Sequence, residues 1–231
     1  MCGRFALTST PQSVRALFGY ADEPDFPPRS AIAPTEPVGV VTMLGGARRF
    51  ILMRWGFVPS WAKDPGEFPL LFNARGETLA DKPAFRTALR RRRCIFPADA
   101  FYEWRRTGRQ REPFRIARRD GAPMALAGLF ETWSSPDGGE IDTAAIITTT
   151  ANGTVAAVHE RMPVILAPHD MAVWLDCAGE DPRAALALVR AAPDGVLQVE
   201  PCTPQLPKPN RAPLRRAPAR PAADDAQGRL L

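Results

Sequence analysis

Five short apolar runs fill the middle of the chain, at 94–96, 100–104, 114–117, 124–133 and 142–149, with glycine or polar turns between them. Apolar stretches broken this often fit antiparallel strands better than long helices. Two more β-rich runs, 38–44 and 49–55, flank Gly45-Gly46 and read as a hairpin. A last strand is expected at 196–200. Helices are fewer. Thr10 caps one, Pro11 takes its first position, and Val14, Leu17 and Phe18 share a face. A second runs from 81 or 82 to about 92, with Phe85 and Leu89 inward and arginines at its end, where positive charge suits the helix dipole. Two short helices are expected at 168–175 and 182–191, the second capped by Asp181. The Pro-rich stretch 21–35 reads as loop. This order is mixed rather than alternating βα. The expected fold class is therefore α+β: a single domain, 1–205, with a curved, barrel-like antiparallel β-sheet core and peripheral helices. Pro, Ala and Arg dominate 206–231, which is expected to be a disordered basic tail.

With 231 residues, 45% of them hydrophobic, the chain can bury one large core. No stretch approaches the ~18–20 consecutive apolar residues of a membrane helix, so an integral membrane protein is not expected. The start of the chain lacks a basic-then-apolar signal pattern, so the expected location is the cytoplasm. Cysteines at 2, 94, 177 and 202 form no C-x-x-C pair, and His159 and His169 are the only histidines. No metal, disulfide or other cofactor is expected, and a monomer is.

Thirty Lys and Arg face 25 Asp and Glu, a net charge of +5. Twelve arginines lie between Arg86 and Arg119 against Asp99, Glu103 and Glu112, a local balance of +9. The densest piece is Arg90-Arg91-Arg92-Arg93. Basic clusters attract phosphates, and they also occur as solvated faces of Arg-rich proteins; charge alone leaves both open.

Cys2 follows the initiator Met. Removal of Met1, which a small second residue permits, leaves an α-amine beside a thiol. That amine has a reference pKa near 7.7–8.0 against about 10.4 for lysine, so its neutral fraction at pH 7 is ~100–1,000 times larger. It can condense with an aldehyde to a Schiff base. The thiol can then add to the imine carbon and close a five-membered thiazolidine. A buried small apolar filler is the plain alternative for such a cysteine.

Met1-Cys2-Gly3-Arg4-Phe5, Ala33-Pro34-Thr35, Trp55-Gly56-Phe57-Val58-Pro59-Ser60-Trp61 and Asn73-Ala74-Arg75-Gly76-Glu77-Thr78 occur in order. Arg93-Cys94-Ile95-Phe96-Pro97 through Phe101-Tyr102-Glu103-Trp104 follows, then Thr148 through His159-Glu160-Arg161-Met162-Pro163. These six blocks, spanning about 1–200, resemble the SRAP family, the SOS-response-associated peptidases understood as abasic-site processing proteins. The resemblance implies covalent capture of abasic sites in single-stranded DNA, whose open-chain C1′ aldehyde is the electrophile that Cys2 chemistry needs. It also implies self-removal of Met1 and a possible Schiff-base lyase activity.

By position, the resemblance makes Cys2 the nucleophile and has Asn73 orient it. It gives Glu103 general acid/base work in imine formation and Met1 removal. His159 would move a proton at the sugar oxygen. Arg4, Arg75 and Arg161 would hold flanking phosphates, with Pro34 beside them. Trp61 would stack on or wedge between bases; Trp55 could do so too or pack in the core. Thr148 would bond the sugar or a phosphate, or be a plain strand threonine.

The chain departs from the family pattern at Ser30-Ala31, where Tyr-Asn is common, and at Ala62, where some relatives carry a second Trp. Ala100 replaces a usual Gly. The block around Pro201-Cys202-Thr203-Pro204 is a poor copy of the family's last motif. Two other readings remain at this stage. An N-terminal-nucleophile cysteine hydrolase or peptidase would use Cys2 and Asn73 but no arginine clamp. A non-catalytic nucleic-acid binder would use only the charge.

Overall fold

The computed structural model describes residues 2–203. Thirteen strands occur in this stretch. They are β1 Phe5–Leu7, β2 Arg29–Ile32, β3 Pro37–Leu44, β4 Ala47–Trp55, β5 Asn73–Arg75, β6 Arg93–Ala98 and β7 Ala100–Thr107. There follow β8 Gln110–Arg118, β9 Met124–Ser134, β10 Glu140–Thr150, β11 Arg161–Pro163, β12 Ile165–Leu166 and β13 Leu197–Pro201. The α-helices are α1 Pro11–Phe18, α2 Pro83–Arg91, α3 Gly153–Ala156, α4 Met171–Leu175 and α5 Arg183–Leu186. The class is the expected α+β. The basic tail assigned to 206–231 lies outside the described residues.

Strands β4, β3, β6, β9 and β10 pair in turn, and β10 returns to β4, closing a five-strand barrel. The closing contact, Thr143↔Arg54 and Ala144↔Trp55, is parallel, whereas the sequence predicts antiparallel pairing throughout. Hairpins can join only antiparallel neighbours. A barrel whose last strand must meet a strand far back in the chain is free of that constraint. A second sheet, β13-β8-β7-β1-β2, lies beside the barrel. The β3–β4 hairpin turns at Gly45 and Gly46, both with positive φ (57° and 78°), as a two-residue primed turn requires.

Two local expectations are corrected. Residues 29–32, read as loop, form β2, because β1 offers them an open edge: Phe5 faces Ile32 and Leu7 faces Arg29. The helix expected at 182–191 is α-helical only over Arg183–Leu186. Beyond it the chain tightens into shorter turns, Leu188 N–H to Ala185 C=O and Val189 N–H to Leu186 C=O. Val189 then seats against Gly76, where an added Cβ would collide with it.

The arginine run, whose charge the sequence leaves open to either reading, is engaged largely by the protein itself. Arg93 is buried and donates to the carbonyls of Leu89, Trp174 and Asp176, the first two at 2.6 Å. The first lies in the last turn of α2 and the others at the end of α4, so two helix C-termini share one guanidinium. Arg92 pairs with buried Glu131 at 2.6 Å, Arg91 with Glu180 at 2.9 Å, and Arg90 donates to the Glu180 carbonyl. The densest basic stretch is therefore engaged by partners within the protein, with Arg93 buried and Arg90 and Arg91 on the surface.

Phe5 fixes the start of the chain. It is buried edge-on against Trp55 (5.2 Å between ring centroids) and Phe96 (6.2 Å). Burying a ring of that size is worth about 1.5–3 kcal/mol. Trp55 is wholly buried, its indole N–H on the Phe72 carbonyl, which assigns it to the core.

Candidate functional site

Cys2 sits three residues before the Phe5 anchor and is fully buried. Its thiol donates weakly to the Arg4 carbonyl at 3.8 Å, and that carbonyl also accepts the Tyr102 N–H at 2.9 Å. The segment is thereby tied to β7, which carries Glu103. On the barrel side, β5 runs parallel to β10 with Asn73 opposite Ile146. This places the Asn73 side-chain amide 2.9 Å from the Cys2 carbonyl, to which it donates. Burial first, and the Glu103 carboxylate second, push the Cys2 thiol well above its ordinary range. The sulfur is therefore held as a thiol.

Glu103 is 3% exposed, and burial pushes its carboxyl up to about 7. Its Oε2 lies 3.9 Å from Nε2 of His159. His159 stands just after α3, its backbone N–H on the Val155 carbonyl. Its Nδ1 accepts the Arg161 N–H at 3.0 Å. Nδ1 is thus occupied as an acceptor, and the proton of the neutral ring sits on Nε2, facing Glu103. Burial lowers the imidazole below its usual range, so the neutral ring prevails at neutral pH.

The four residues assigned to chemistry, Cys2, Asn73, Glu103 and His159, therefore converge from the chain start, β5, β7 and the turn after α3. The six assigned to DNA are placed differently. Arg4 is buried, its guanidinium depressed by burial, and its Nη1 has no hydrogen-bond partner among the described residues. The buried Oδ1 of Asn73 is likewise unpartnered among them. Arg75 is exposed on β5 and makes no ion pair among the described residues. Pro34 is half-buried in the turn 33–36, closed by Glu36 N–H to Ala33 C=O, with Thr35 at φ 81°. Trp61 is 59% exposed, with Phe68 edge-on to it. Its loop is pinned on both sides: Val58 N–H donates to Thr143 Oγ1, and the Trp133 indole to the Ala62 carbonyl.

Arg161 and Thr148 are engaged within the protein. Arg161 makes a two-pronged pair with Glu77 (2.6 and 2.8 Å) and donates to the Thr148 carbonyl at 2.8 Å. Thr148 is fully buried, 3.5 Å from the Ala74 carbonyl. Glu77, held down to about 2 by the Arg161 guanidinium, received no role from the sequence. The available signal was the one acid, beside the one base Arg75, in the Asn73–Thr78 block.

The sequence profile of the SOS response associated peptidase (SRAP) family matches residues 1–209. The chain is 39% identical over 194 residues to the abasic site processing protein YoqW of Bacillus subtilis, covering 82% of this chain and 87% of that one. It is also 39% identical over 186 residues to YoaM of the same organism, another abasic site processing protein, covering 79% and 82%. A solved protein from Bacteroides thetaiotaomicron shares the fold, with a TM-score of 0.79 at 22% identity over 87% of this chain and 92% of that one.

Proposed function

This chain belongs to the SOS response associated peptidase family, and from that premise we propose that it processes abasic sites by capturing them covalently in single-stranded DNA through Cys2. The observation that carries the reading is the convergence of a buried Cys2 with Asn73 on its carbonyl and with Glu103, itself facing His159 at 3.9 Å.

Hydrolytic loss of Met1 would free the Cys2 amine. The amine adds to the C1′ aldehyde of the opened sugar, and the resulting carbinolamine loses water to give an imine. The thiol then adds across the C=N bond. Sulfur bonds to C1′, the thiol proton passes to nitrogen, and a thiazolidine closes with one water released overall. Asn73 holds the Cys2 carbonyl so that amine and thiol face one carbon. Glu103, titrating at about 7, can lend a proton to the departing hydroxyl and take one back at neutral pH. A sugar oxygen placed about 2.8 Å from both Glu103 Oε2 and His159 Nε2 fits their spacing, so His159 can serve ring opening.

On this reading, DNA phosphates meet Arg4, whose buried Nη1 lacks a protein partner, and Arg75. Trp61 stacks on a base beside Pro34. Thr148 supports the phosphate side from within, and Arg161 reaches a phosphate by releasing Glu77.

The test is incubation with single-stranded DNA bearing one abasic site, after intact mass has established loss of Met1. A heat-stable adduct is expected from the native protein and none from Cys2→Ala. Absence of any adduct from protein lacking Met1 overturns the reading. Turnover of small amides without an adduct would assign the hydrolase chemistry instead.

A further inference from the structure

The local excess of arginine between Arg86 and Arg119 has a different distribution in space than in sequence. Eight of the twelve are engaged: Arg90 to Arg93 as described, Arg105 with Glu112, Arg115 with Glu200, Arg118 with Asp120, and Arg119 on the Leu197 carbonyl. Of the four without a partner among the described residues, Arg106, Arg109 and Arg111 share the exposed end of the β7–β8 hairpin. Arg106 and Arg111 are directly opposite in the register. Like charges facing each other across a strand pair destabilise the hairpin, and nothing acidic lies between these two: their neighbours in register are Arg105↔Glu112, already paired, and Thr107↔Gln110.

The same hairpin forms one wall of a cavity of about 660 Å³, with Trp104, Arg106 and Thr107 on one side and Val158, His159 and Glu160 on the other. Its volume falls in the range of about 300–1,000 Å³ typical of ligand sites. His159 also faces Glu103. The cavity is therefore lined by His159, which faces the reaction centre, and by Arg106, whose partner in register is Arg111. Arg106 is also near enough to add a small lowering of the His159 imidazole to the larger one from burial.

We propose that Arg106 and Arg111 together hold one phosphodiester of the single strand as it leaves the reaction centre through this cavity. This rests on the reading that the site takes single-stranded DNA. It adds an exit path on the His159 side, carried by residues other than Arg4, Arg75 and Trp61. A phosphate between two facing guanidiniums takes bidentate donors from both and removes the repulsion that the hairpin otherwise carries.

The experiment measures binding of an undamaged single-stranded oligonucleotide by fluorescence anisotropy across a salt series, so that no covalent step enters. Arg106→Gln/Arg111→Gln is expected to weaken binding about tenfold and to make the salt slope shallower by about 0.7, one phosphate's worth. Its melting temperature should equal or exceed that of the native protein, because a like-charge pair is gone. Arg183→Gln, an exposed arginine paired with Asp181, should leave the slope unchanged. A double variant with native affinity and slope overturns the proposal, as does an equal loss in Arg183→Gln. The adduct assay on the native protein tests the parent reading separately.

Discussion

The backbone N–H of Arg161 donates to Nδ1 of His159 at 3.0 Å, while the Arg161 guanidinium grips Glu77. One residue thus fixes the tautomer of the imidazole with its main chain and its own position with its side chain. The ring is held with Nε2 toward Glu103, 3.9 Å from its Oε2, the orientation that the proposed sugar oxygen between them would need.

The pH dependence of adduct formation should follow from two groups. The Cys2 amine must be neutral and Glu103 protonated, so the rate rises as the amine loses its proton and falls as Glu103 loses its own near 7. A bell-shaped profile is expected. In Glu103→Gln the alkaline limb should vanish, and the rate should fall about 10²-fold or more. Single-turnover gel kinetics from pH 5.5 to 9 would check this; an unchanged alkaline limb would remove Glu103 from the acid role.

Glu103 also links pH to stability. Its folded value is raised by burial from the ordinary 4.5 to about 7. Below 4.5 the group is neutral in both states and adds no penalty. Between 4.5 and 7 the unfolded chain ionises while the folded one stays protonated, so stability is lost as pH rises through this window. Glu103→Gln should therefore be more stable than the native protein at pH 8, by about 1–3 kcal/mol, and no more stable at pH 4. Urea unfolding at the two pH values reads the difference.

The Arg161–Glu77 pair works in the opposite direction. Glu77 is depressed to about 2, so its contribution is present above about 4.5 and disappears as pH falls toward 2. Glu77 is 47% exposed, and with solvent screening the pair is worth about 1 kcal/mol. Glu77→Gln should cost that much at pH 7 and only about a quarter of it at pH 2.5. If Arg161 reaches a phosphate by releasing Glu77, the same variant should bind single-stranded DNA more tightly at pH 7.

Two tryptophans of one motif should separate cleanly. Trp55 is wholly buried among Phe5, Phe72 and Phe96, and Trp55→Ala should cost about 3–5 kcal/mol of stability. Trp61 is mostly exposed on a pinned loop, so Trp61→Ala should leave the melting temperature nearly unchanged. Its effect should fall on DNA binding, by about 1–3 kcal/mol if a base stacks there.

Arg93→Met should destabilise the fold by about 2–4 kcal/mol, because buried helix-end carbonyls lose their donor. Arg86→Met, at an exposed arginine on α2 without a partner among the described residues, should be close to neutral. Equal effects from the two would contradict a carbonyl-collecting role for Arg93.

The elements most legible in the sequence were those whose signals are local. The Gly45-Gly46 hairpin, the Thr10-Pro11 start of α1 and the β-runs from 94 to 149 follow from turn chemistry and short-range apolar pattern. Strand β2 was not legible, because 29–32 owes its conformation to an edge that β1 supplies. The motifs brought Cys2, Asn73, Glu103 and His159 forward together, yet said nothing of Glu77 or of which arginines are already engaged.

By itself the sequence determined the proposed reactive element: a cysteine at the second position, with the acid, amide and imidazole proposed to serve it. Covalent structure sets what an amine and a thiol on one residue can do, and no folding changes that. Tertiary structure alone decided which charges are available. Arg90 to Arg93 are the densest basic piece of the linear chain and are engaged by Glu131, Glu180 and helix-end carbonyls, while Arg106 and Arg111 face each other without a partner among the described residues. Pairing depends on distances between residues remote in sequence, and those exist only once the barrel has closed.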